Sequence, residues 1–173
     1  FEYSPDGTAI DGQTGGTGWS GAWSAGSTNF DSDSGIVAVG SFSCLNATGS
    51  GAINRALTTG VTTGTVQFVM RKSSNAANTD FRIRFREGTT IRYMVGWADG
   101  AFRLSGGGTS PSLLDTPAVN TWYYVQVVFN QPANSAKARY STDGINWNAY
   151  TTDEAPSGTS WLQIDDVQLT TDT

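Results

Sequence analysis

Apolar and polar residues alternate along several short stretches of this chain, most strictly in the segment 80–87. Successive side chains of an extended strand point to opposite faces, so one face of this segment carries three apolar residues and the other carries three arginines. The arginines are Arg82, Arg84 and Arg86. The pattern predicts a strand whose one face joins a core while the opposite face presents guanidinium groups.

Similar alternation recurs in later segments, and no long stretch has the 3.6-residue period of an amphipathic helix. The chain has 173 residues, of which 38% are hydrophobic and 14% charged. That length is enough for one sizeable core and short enough for one domain. We therefore expect an all-β fold, with a single domain over residues 1–173.

Turn residues predict the register of three strands. Asp99-Gly100 separates two alternating segments and is typical of a two-residue hairpin loop. The turn before it is predicted to have three residues, 88–90, because this length keeps the apolar residues of the two flanking strands on one face. A two-residue loop would mix the apolar and polar faces. The predicted outward pairs are Arg82 with Gly96, Arg84 with Met94, Arg86 with Arg92, and Gly96 with Arg103.

Gly96 lies between Arg82 and Arg103 in this register. Because glycine has no side chain, it leaves a gap between two arginines about 10 Å apart, at a strand spacing of about 4.8 Å. A pyranose ring fits such a gap, and the facing pair of Arg86 and Arg92 favours an anionic counterion. The alternative is a solvated sheet face whose arginines serve solubility and edge protection.

The segment 122–129 predicts another strand, with Trp122 and Tyr124 pointing away from the core. A turn at Asp143-Gly144 then predicts a hairpin that pairs Tyr140 with Trp147, with Arg139 also pointing outward. If these residues belong to the sheet that carries the arginines, they extend it into a basic, aromatic surface.

Charge is segregated along the chain. Residues 71–103 contain seven basic and three acidic residues, a balance of +4, whereas the remainder contains three basic and 12 acidic residues, a balance of -9; the whole chain has a net charge of -5. A positive region on a negative body favours an anionic partner at one face. The acidic remainder and the lack of a nucleic-acid-binding motif argue against nucleic acid as that partner.

Other features narrow the function classes. No histidine occurs, which excludes imidazole metal sites and Ser-His or Cys-His catalysis. The single Cys44 is predicted to be a small buried residue. No apolar run is long enough to span a bilayer, so we expect no membrane insertion. Because the chain begins at Phe1 and is rich in Thr, Ser, Asn and Gly, we expect a module of an extracellular or cell-surface protein.

The glycine-rich segment 11–23 contains Trp19 and Trp23 and lacks the Gly-Lys-Ser/Thr of a phosphate-binding loop. Either the two tryptophans close one end of the fold, or they stack on sugars.

Four segments together resemble a known family. The stretches 11–23, 120–127, 140–147 and 164–169 are similar to laminin G-like, concanavalin A-like jelly-roll domains of bacterial surface and polysaccharide-degrading proteins. The resemblance implies a two-sheet antiparallel β-sandwich and a glycan-related role. It also implies a structural calcium ion shared by the first and last strands, with Glu2 and Asp165 as ligands. Alternatively, these acids are solvated residues at strand ends.

Three functions remain open. The first is a non-catalytic carbohydrate-binding module, monomeric and tethered to a larger protein, which binds an acidic polysaccharide through arginines and stacks a ring on Trp122 or Tyr124. A neutral-glycan module that uses the loop tryptophans is a variant. The second is a structural or adhesive spacer. The third is a small polysaccharide lyase that pairs Arg84 with Tyr124; hydrolysis is disfavoured because the glutamates lack the Glu-x-Asp-x-x-Glu pattern.

Overall fold

A computed structural model describes residues 7–15, 17–25, 30–35, 37–38, 43–46, 49–73, 80–98, 100–107, 110–114 and 116–172. These residues form twelve strands and contain no helix. The strands are β1 (Trp19–Ala25), β2 (Phe30–Asp33), β3 (Ser43–Asn46), β4 (Gly51–Val61), β5 (Thr63–Arg71), β6 (Asp80–Glu87), β7 (Thr90–Ala98), β8 (Ala101–Ser105), β9 (Ser112–Leu114), β10 (Trp122–Asn130), β11 (Ser135–Ser141) and β12 (Ile164–Asp172). Consequently, this part of the chain has no helix of a length and hydrophobicity suited to crossing a membrane.

The strands form two principal antiparallel sheets. One sheet has seven strands in the order β1-β4-β12-β6-β7-β8-β9, and the other has three in the order β11-β10-β5; β2 and β3 form a separate pair. The last strand, β12, lies between β4 and β6, so distant parts of the sequence close the larger sheet. The expected all-β, two-sheet antiparallel β-sandwich of jelly-roll type is confirmed.

Aromatic side chains fill the space between the two sheets. Phe85 of β6 and Phe129 of β10 meet edge to face with ring centroids 4.9 Å apart. Tyr93 of β7 is 5.7 Å from the same Phe129 ring. The inward residues predicted for β10 are all buried; they are Tyr123, Val125, Val127 and Phe129. This core fixes which face of each sheet points outward, because side chains alternate along a strand.

The register of β6, β7 and β8 confirms most of the predicted pairs. Arg82 faces Gly96, Arg84 faces Met94, and Gly96 faces Arg103 across the Gly100 turn, whose other residue, Asp99, lies outside the described residues. The predicted pair of Arg86 and Arg92 is wrong, because Arg86 faces Ile91 across a bulge. The turn is the two-residue Gly88-Thr89, and the extra residue in β7 keeps the apolar faces together.

The predicted hairpin after β11 is only partly correct. The turn at 142–146 forms, and the Asp143 carboxylate accepts hydrogen bonds from the backbone N–H groups of Ile145 and Asn146. The returning segment is not a strand, and the Asn148 N–H donates to the Tyr140 carbonyl at 3.0 Å. Tyr140 is therefore aligned with Asn148, and not with Trp147 as predicted. The carboxylate-bound turn is wider than a two-residue loop, which displaces the register.

Candidate functional site

The outer face of the seven-stranded sheet contains a pocket of about 230 Å³. It lies where β6, β7 and β8 run side by side, which is the place where the sequence predicts a gap between two arginines. The described residues that line it are Arg82, Met94, Gly96, Ala98, Arg103, Ser105 and Ser110. The described part of the lining combines two cations, two hydroxyls and a small apolar surface, and contains no acidic residue.

Gly96 forms the bottom of this pocket for a steric reason. A Cβ atom at this position would lie 2.7 Å from the Cα of Arg82 and closer still to the carbonyl oxygen of Phe81. Real Cβ contacts are never that short, so the approach of β6 to β7 requires glycine here. The same absence of a side chain leaves the space between the two arginines empty.

Arg103 is the uncompensated cation of the pocket. Its guanidinium makes no hydrogen bond or ion pair with any described residue, and its Nε atom is buried. Buried polar groups normally have partners, because an unmade hydrogen bond there costs about 1–3 kcal/mol. Arg103 therefore has unused hydrogen-bonding capacity at the wall of the pocket.

Arg82, on the opposite wall, is already paired. Its Nη2 atom lies 2.5 Å from Oδ2 of Asp80, two residues earlier on the same face of β6. The two side chains are 23% and 16% exposed, so water screens this pair only partly. The two arginines that flank Gly96 thus differ in charge balance, which the sequence pattern alone does not distinguish.

A buried acid holds the third wall in place. Glu154 is 0% exposed, and its two carboxylate oxygens accept hydrogen bonds from the N–H groups of Gly106 and Ser110, at 2.9 and 3.0 Å. Ser110 has a φ of 49°, a conformation uncommon outside glycine, which the bond to Glu154 stabilises. The Ser110 hydroxyl lies 3.0 Å from that of Ser105. Both hydroxyls are thereby fixed beside Arg103.

The remaining arginines of the predicted patch do not line the pocket. Arg84 donates to the side chain of Gln168 at 3.2 Å. Arg86 lies with Nε 3.2 Å from Oδ1 of Asp166 and also donates to a turn carbonyl. Arg92 lies with Nη2 2.7 Å from Glu87. Arg86 and Arg92 are thus paired with carboxylates, and Arg84 is hydrogen-bonded to a neutral amide.

Asp166 has an altered pKa because of its position on this sheet face. It is 7% exposed, and burial raises its pKa, while the nearby Arg86 and a hydrogen bond from Asn54 oppose that rise. The carboxyl and Arg86 stabilise each other at the end of the sheet remote from Gly96. Arg86 is therefore engaged in an ion pair within the protein.

Trp122, Tyr124 and Arg139 lie on the other sheet, which corrects the expectation of one combined surface. They belong to β10 and β11, and they face outward from the three-stranded sheet on the opposite side of the sandwich. No single ligand residue can contact these side chains and the Gly96 pocket together. The suggested lyase pair of Arg84 and Tyr124 is wrong for the same reason. Alternation within a strand does not determine which sheet the strand joins.

Arg139 is held by neutral side chains on its own face. Its Nε donates to the side chain of Gln126 at 2.7 Å. Its Cζ atom lies 4.9 Å from the ring centroid of Trp147 and 4.5 Å from that of Tyr150. Cation–π contacts of this kind stabilise a guanidinium against aromatic faces. Arg139 thus serves the packing of its loop.

The two tryptophans of the glycine-rich segment also have internal partners. Trp23 is 5% exposed, and the guanidinium Cζ of Arg55 lies 5.4 Å from the Trp19 ring centroid and 5.9 Å from that of Trp23. Arg55 further donates to the carbonyls of Gly15 and Gly21. Trp23 is therefore packed inside the protein and Trp19 is partly exposed, and the interpretation that the two tryptophans close one end of the sandwich stays a prediction.

The expected calcium site is only half described. Glu2 lies outside the described residues, and Asp165 accepts a hydrogen bond from the Gly88 N–H at 2.7 Å. Within the described ranges, no group of three or more acidic or cysteine side chains is arranged to hold a metal ion. The pairing of Glu2 with Asp165 around calcium stays a prediction.

Two further residues of the site, Asp80 and Glu154, differ in whether the sequence indicates their role. Asp80 begins the arginine strand, and its position two residues before Arg82 places both side chains on one face, which alternation does indicate. Glu154 lies in an irregular segment, and no local pattern connects it with the loop after β8. Its role depends on a contact across 44 residues with Ser110.

The described strands place the chain in the class of two-sheet, jelly-roll β-sandwiches. No protein-family model matches it, and no match was found among curated proteins. The chain is similar in structure to a sialidase, with a TM-score of 0.57, 13% identity, and coverage of 88% of this chain but 12% of the sialidase. The chain therefore spans about an eighth of that protein's length.

Two further solved structures are similar. One is the exoplasmic/lumenal domain of VIP36 in a form bound to Ca²⁺ and Man2, with a TM-score of 0.52, 7% identity, and coverage of 97% of this chain and 80% of that one. The other is the alginate lyase AlgAT5 of polysaccharide lyase family 7, with a TM-score of 0.35, 8% identity, and coverage of 92% and 69%. At these identities the likeness shows the fold, and the narrower laminin G-like resemblance stays a prediction.

Proposed function

We propose that this chain is a non-catalytic carbohydrate-binding module that binds an acidic polysaccharide in the pocket between Arg82 and Arg103. The observation that carries the proposal is the Arg103 guanidinium, which has no partner among the described residues and borders an empty pocket. A carboxylate or sulfate group supplies the charge-assisted, bidentate hydrogen bonds that such a group lacks.

The other walls suit a sugar ring. Ser105 and Ser110 offer hydroxyls that exchange hydrogen bonds with sugar hydroxyls, and Met94 and Ala98 offer apolar contact to ring C–H groups. The structural neighbours support a glycan partner by analogy, since one is a sialidase and another is a lumenal domain bound to Man2. Fold similarity alone would not carry the proposal.

The two described glutamates, Glu87 and Glu154, support a role in binding and not in hydrolysis. Hydrolysis of a glycosidic bond needs two carboxyl groups on either side of that bond. Glu154 is fully buried and bound to backbone N–H groups, and Glu87 is paired with Arg92. Among the described glutamates, each therefore has a structural task.

A module of this kind acts as part of a larger protein. The sialidase comparison supports that setting, because the match covers 12% of that chain. We propose a monomeric module of an extracellular or cell-surface protein, where acidic polysaccharides are accessible. The arginine pocket then supplies attachment to the glycan.

The test is a glycan array at 50 and 500 mM NaCl, followed by titration calorimetry on the selected glycan. We expect acidic polysaccharides to bind, with affinity that falls as salt rises. Arg103→Ala should weaken binding about 10- to 100-fold, the loss expected for a hydrogen bond to a charged group. The Arg82→Ala, Arg103→Ala double variant should abolish it.

The matched controls are arginines of the other sheet. Arg71→Ala removes an arginine that donates to Asn120 and should bind as the wild type does. Arg139→Ala tests the opposite face directly: loss of binding in this variant, with Arg103→Ala unaffected, would move the site to the three-stranded sheet. An array without any bound glycan would favour a structural spacer, and release of products that absorb ultraviolet light would favour a lyase.

A further inference from the structure

The two arginines of the pocket differ in whether they have an acidic partner, and this difference constrains the charge of the ligand. Arg82 is paired with Asp80 at 2.5 Å, whereas Arg103 has no acidic partner among the described residues. Of the described side chains that line the pocket, no other is charged. The two lining arginines and Asp80 together carry one net positive charge; Lys72, which also interacts with Asp80, does not line the pocket.

We propose, as an inference that rests on the proposed function, that the pocket selects a sugar unit with a single negative charge, and that Asp80 is the residue that sets this selectivity. The ligand group is then a carboxylate or a sulfate monoester. A phosphate monoester is disfavoured, because it carries about two negative charges at neutral pH.

Asp80 is held firmly enough to act in this way. Asp80 and Arg82 share one face of β6, and the pair is less than one quarter exposed on both sides. Asp80 also interacts with Lys72, which is 8% exposed and whose pKa is lowered by burial despite the attraction of Asp80. Asp80 is thus anchored by basic groups of the protein, and Arg82 is not freely available to a second anion.

The energetics follow from the cost of unbalanced charge in a partly buried site. A monoanion neutralises Arg103 and leaves no excess charge. A dianion leaves one negative charge that must either stay poorly solvated or displace Asp80 from Arg82, and both alternatives cost free energy. Selectivity of this kind arises from an element that opposes the wrong ligand.

The size of the pocket limits the recognised unit. Its volume of about 230 Å³ lies below the roughly 300–1,000 Å³ typical of sites for drug-sized ligands. Together with the close backbone approach at Gly96, this volume suits one anionic sugar ring and not a branched or multiply substituted one.

The experiment uses three glucose derivatives with an anionic group at position 6: glucuronate, and the matched pair of glucose 6-sulfate and glucose 6-phosphate. Each is titrated into the full chain at pH 7.5 and followed by chemical-shift changes. In the wild type, the carboxylate and the sulfate should bind at least about fivefold more tightly than the phosphate. In Asp80→Asn, the affinity for glucose 6-phosphate should rise at least about fivefold relative to that for glucose 6-sulfate.

Asp153→Asn is the matched control. It makes the same change in net charge at an exposed residue without a hydrogen bond or ion pair among the described residues, and it should leave the phosphate-to-sulfate ratio unchanged. A changed ratio in this control would assign the effect to overall charge and overturn the role of Asp80.

Other results would overturn the selectivity, or the proposed function together with it. Equal affinity of the wild type for phosphate and sulfate would overturn the proposed selectivity, as would an unchanged ratio in Asp80→Asn. If none of the three hexoses binds while an acidic polysaccharide does, this inference fails and the proposed function stands. If no acidic glycan binds at all, both fail.

Discussion

The two outer faces of the sandwich both carry outward arginines, but among the described residues Arg103 differs from Arg139 in having no side-chain partner and in lining a pocket. On the three-stranded sheet, Arg139 is bound by Gln126 and enclosed by Trp147 and Tyr150. On the seven-stranded sheet, Arg103 borders the gap at Gly96 and has no partner among the described residues. The contrast between Arg139 and Arg103 shows that basic and aromatic residues on the outer face of a sheet do not by themselves define a binding site. An uncompensated charge beside an unfilled space is the more specific indication.

The largest effect is expected when a side chain is introduced at Gly96. Gly96→Ala places a Cβ against the backbone of β6, so we expect a loss of more than about 2 kcal/mol in the free energy of unfolding, measured by urea denaturation. Gly64→Ala is the control on the other sheet, where a Cβ would meet only Val61 Cγ1 at 3.6 Å. That variant should stay within about 0.5 kcal/mol of the wild type. Equal effects of the two variants would show that Gly96 has no special steric role.

The next largest effect should come from the buried support of the pocket wall. In Glu154→Gln, one of the two N–H groups of Gly106 and Ser110 faces an amide NH₂ instead of an oxygen. We expect a loss of about 1–3 kcal/mol in stability and a weaker affinity for the acidic glycan. Gln126→Ala removes the corresponding support on the other face, and glycan affinity should be unchanged. A normal affinity in Glu154→Gln would mean that the wall of Ser105 and Ser110 is not used in binding.

The smallest expected effect is a difference in pKa between two aspartates, one near each sheet. Burial raises the pKa of Asp166 on the seven-stranded sheet, whereas hydrogen bonds from the side chain and backbone of Asn146 lower the pKa of Asp143 beside the three-stranded sheet. The ordinary value is about 3.9. Carboxyl carbon NMR should find the Asp166 midpoint above it and the Asp143 midpoint below it. Two midpoints near the ordinary value would contradict the assigned environments.

These two shifts act on stability in opposite directions. The raised pKa of Asp166 favours folding below its unfolded value, and that contribution is lost as the pH rises through the folded value. The lowered pKa of Asp143 favours folding above its unfolded value, and that contribution is lost as the pH falls through the folded value. Asp166→Asn and Asp143→Asn should therefore change the pH dependence of unfolding with opposite signs.

Local sequence rules predicted the register of the pocket strands well. Turn chemistry and alternation placed Arg82 opposite Gly96 and Gly96 opposite Arg103, as the structure does. They failed at Arg86 because a bulge in β7 adds one residue, and a bulge satisfies the same apolar pattern as a longer turn. The predicted pocket therefore depends on short-range information only.

The rest of the site depends on contacts between distant segments. The strand β10 joins β5 and β11, and nothing in its alternation indicates that choice, so the condition under which Trp122 would share a surface with the arginines is not met. The contact of Glu154 with Ser110 and the position of β12 between β4 and β6 likewise follow from packing of the whole chain. Which partner each arginine has depends on the three-dimensional fold, so it cannot be read from the number of charged residues in the sequence.

The most direct test of the central claim observes the arginine side chains themselves. An NMR spectrum of the arginine Nε–Hε groups is recorded while an acidic oligosaccharide chosen by the glycan array is added. The account predicts a saturable shift of the Arg103 signal, with the Arg139 signal unchanged. A shift of Arg139 without Arg103, or no shift of Arg103 at saturation, would contradict it.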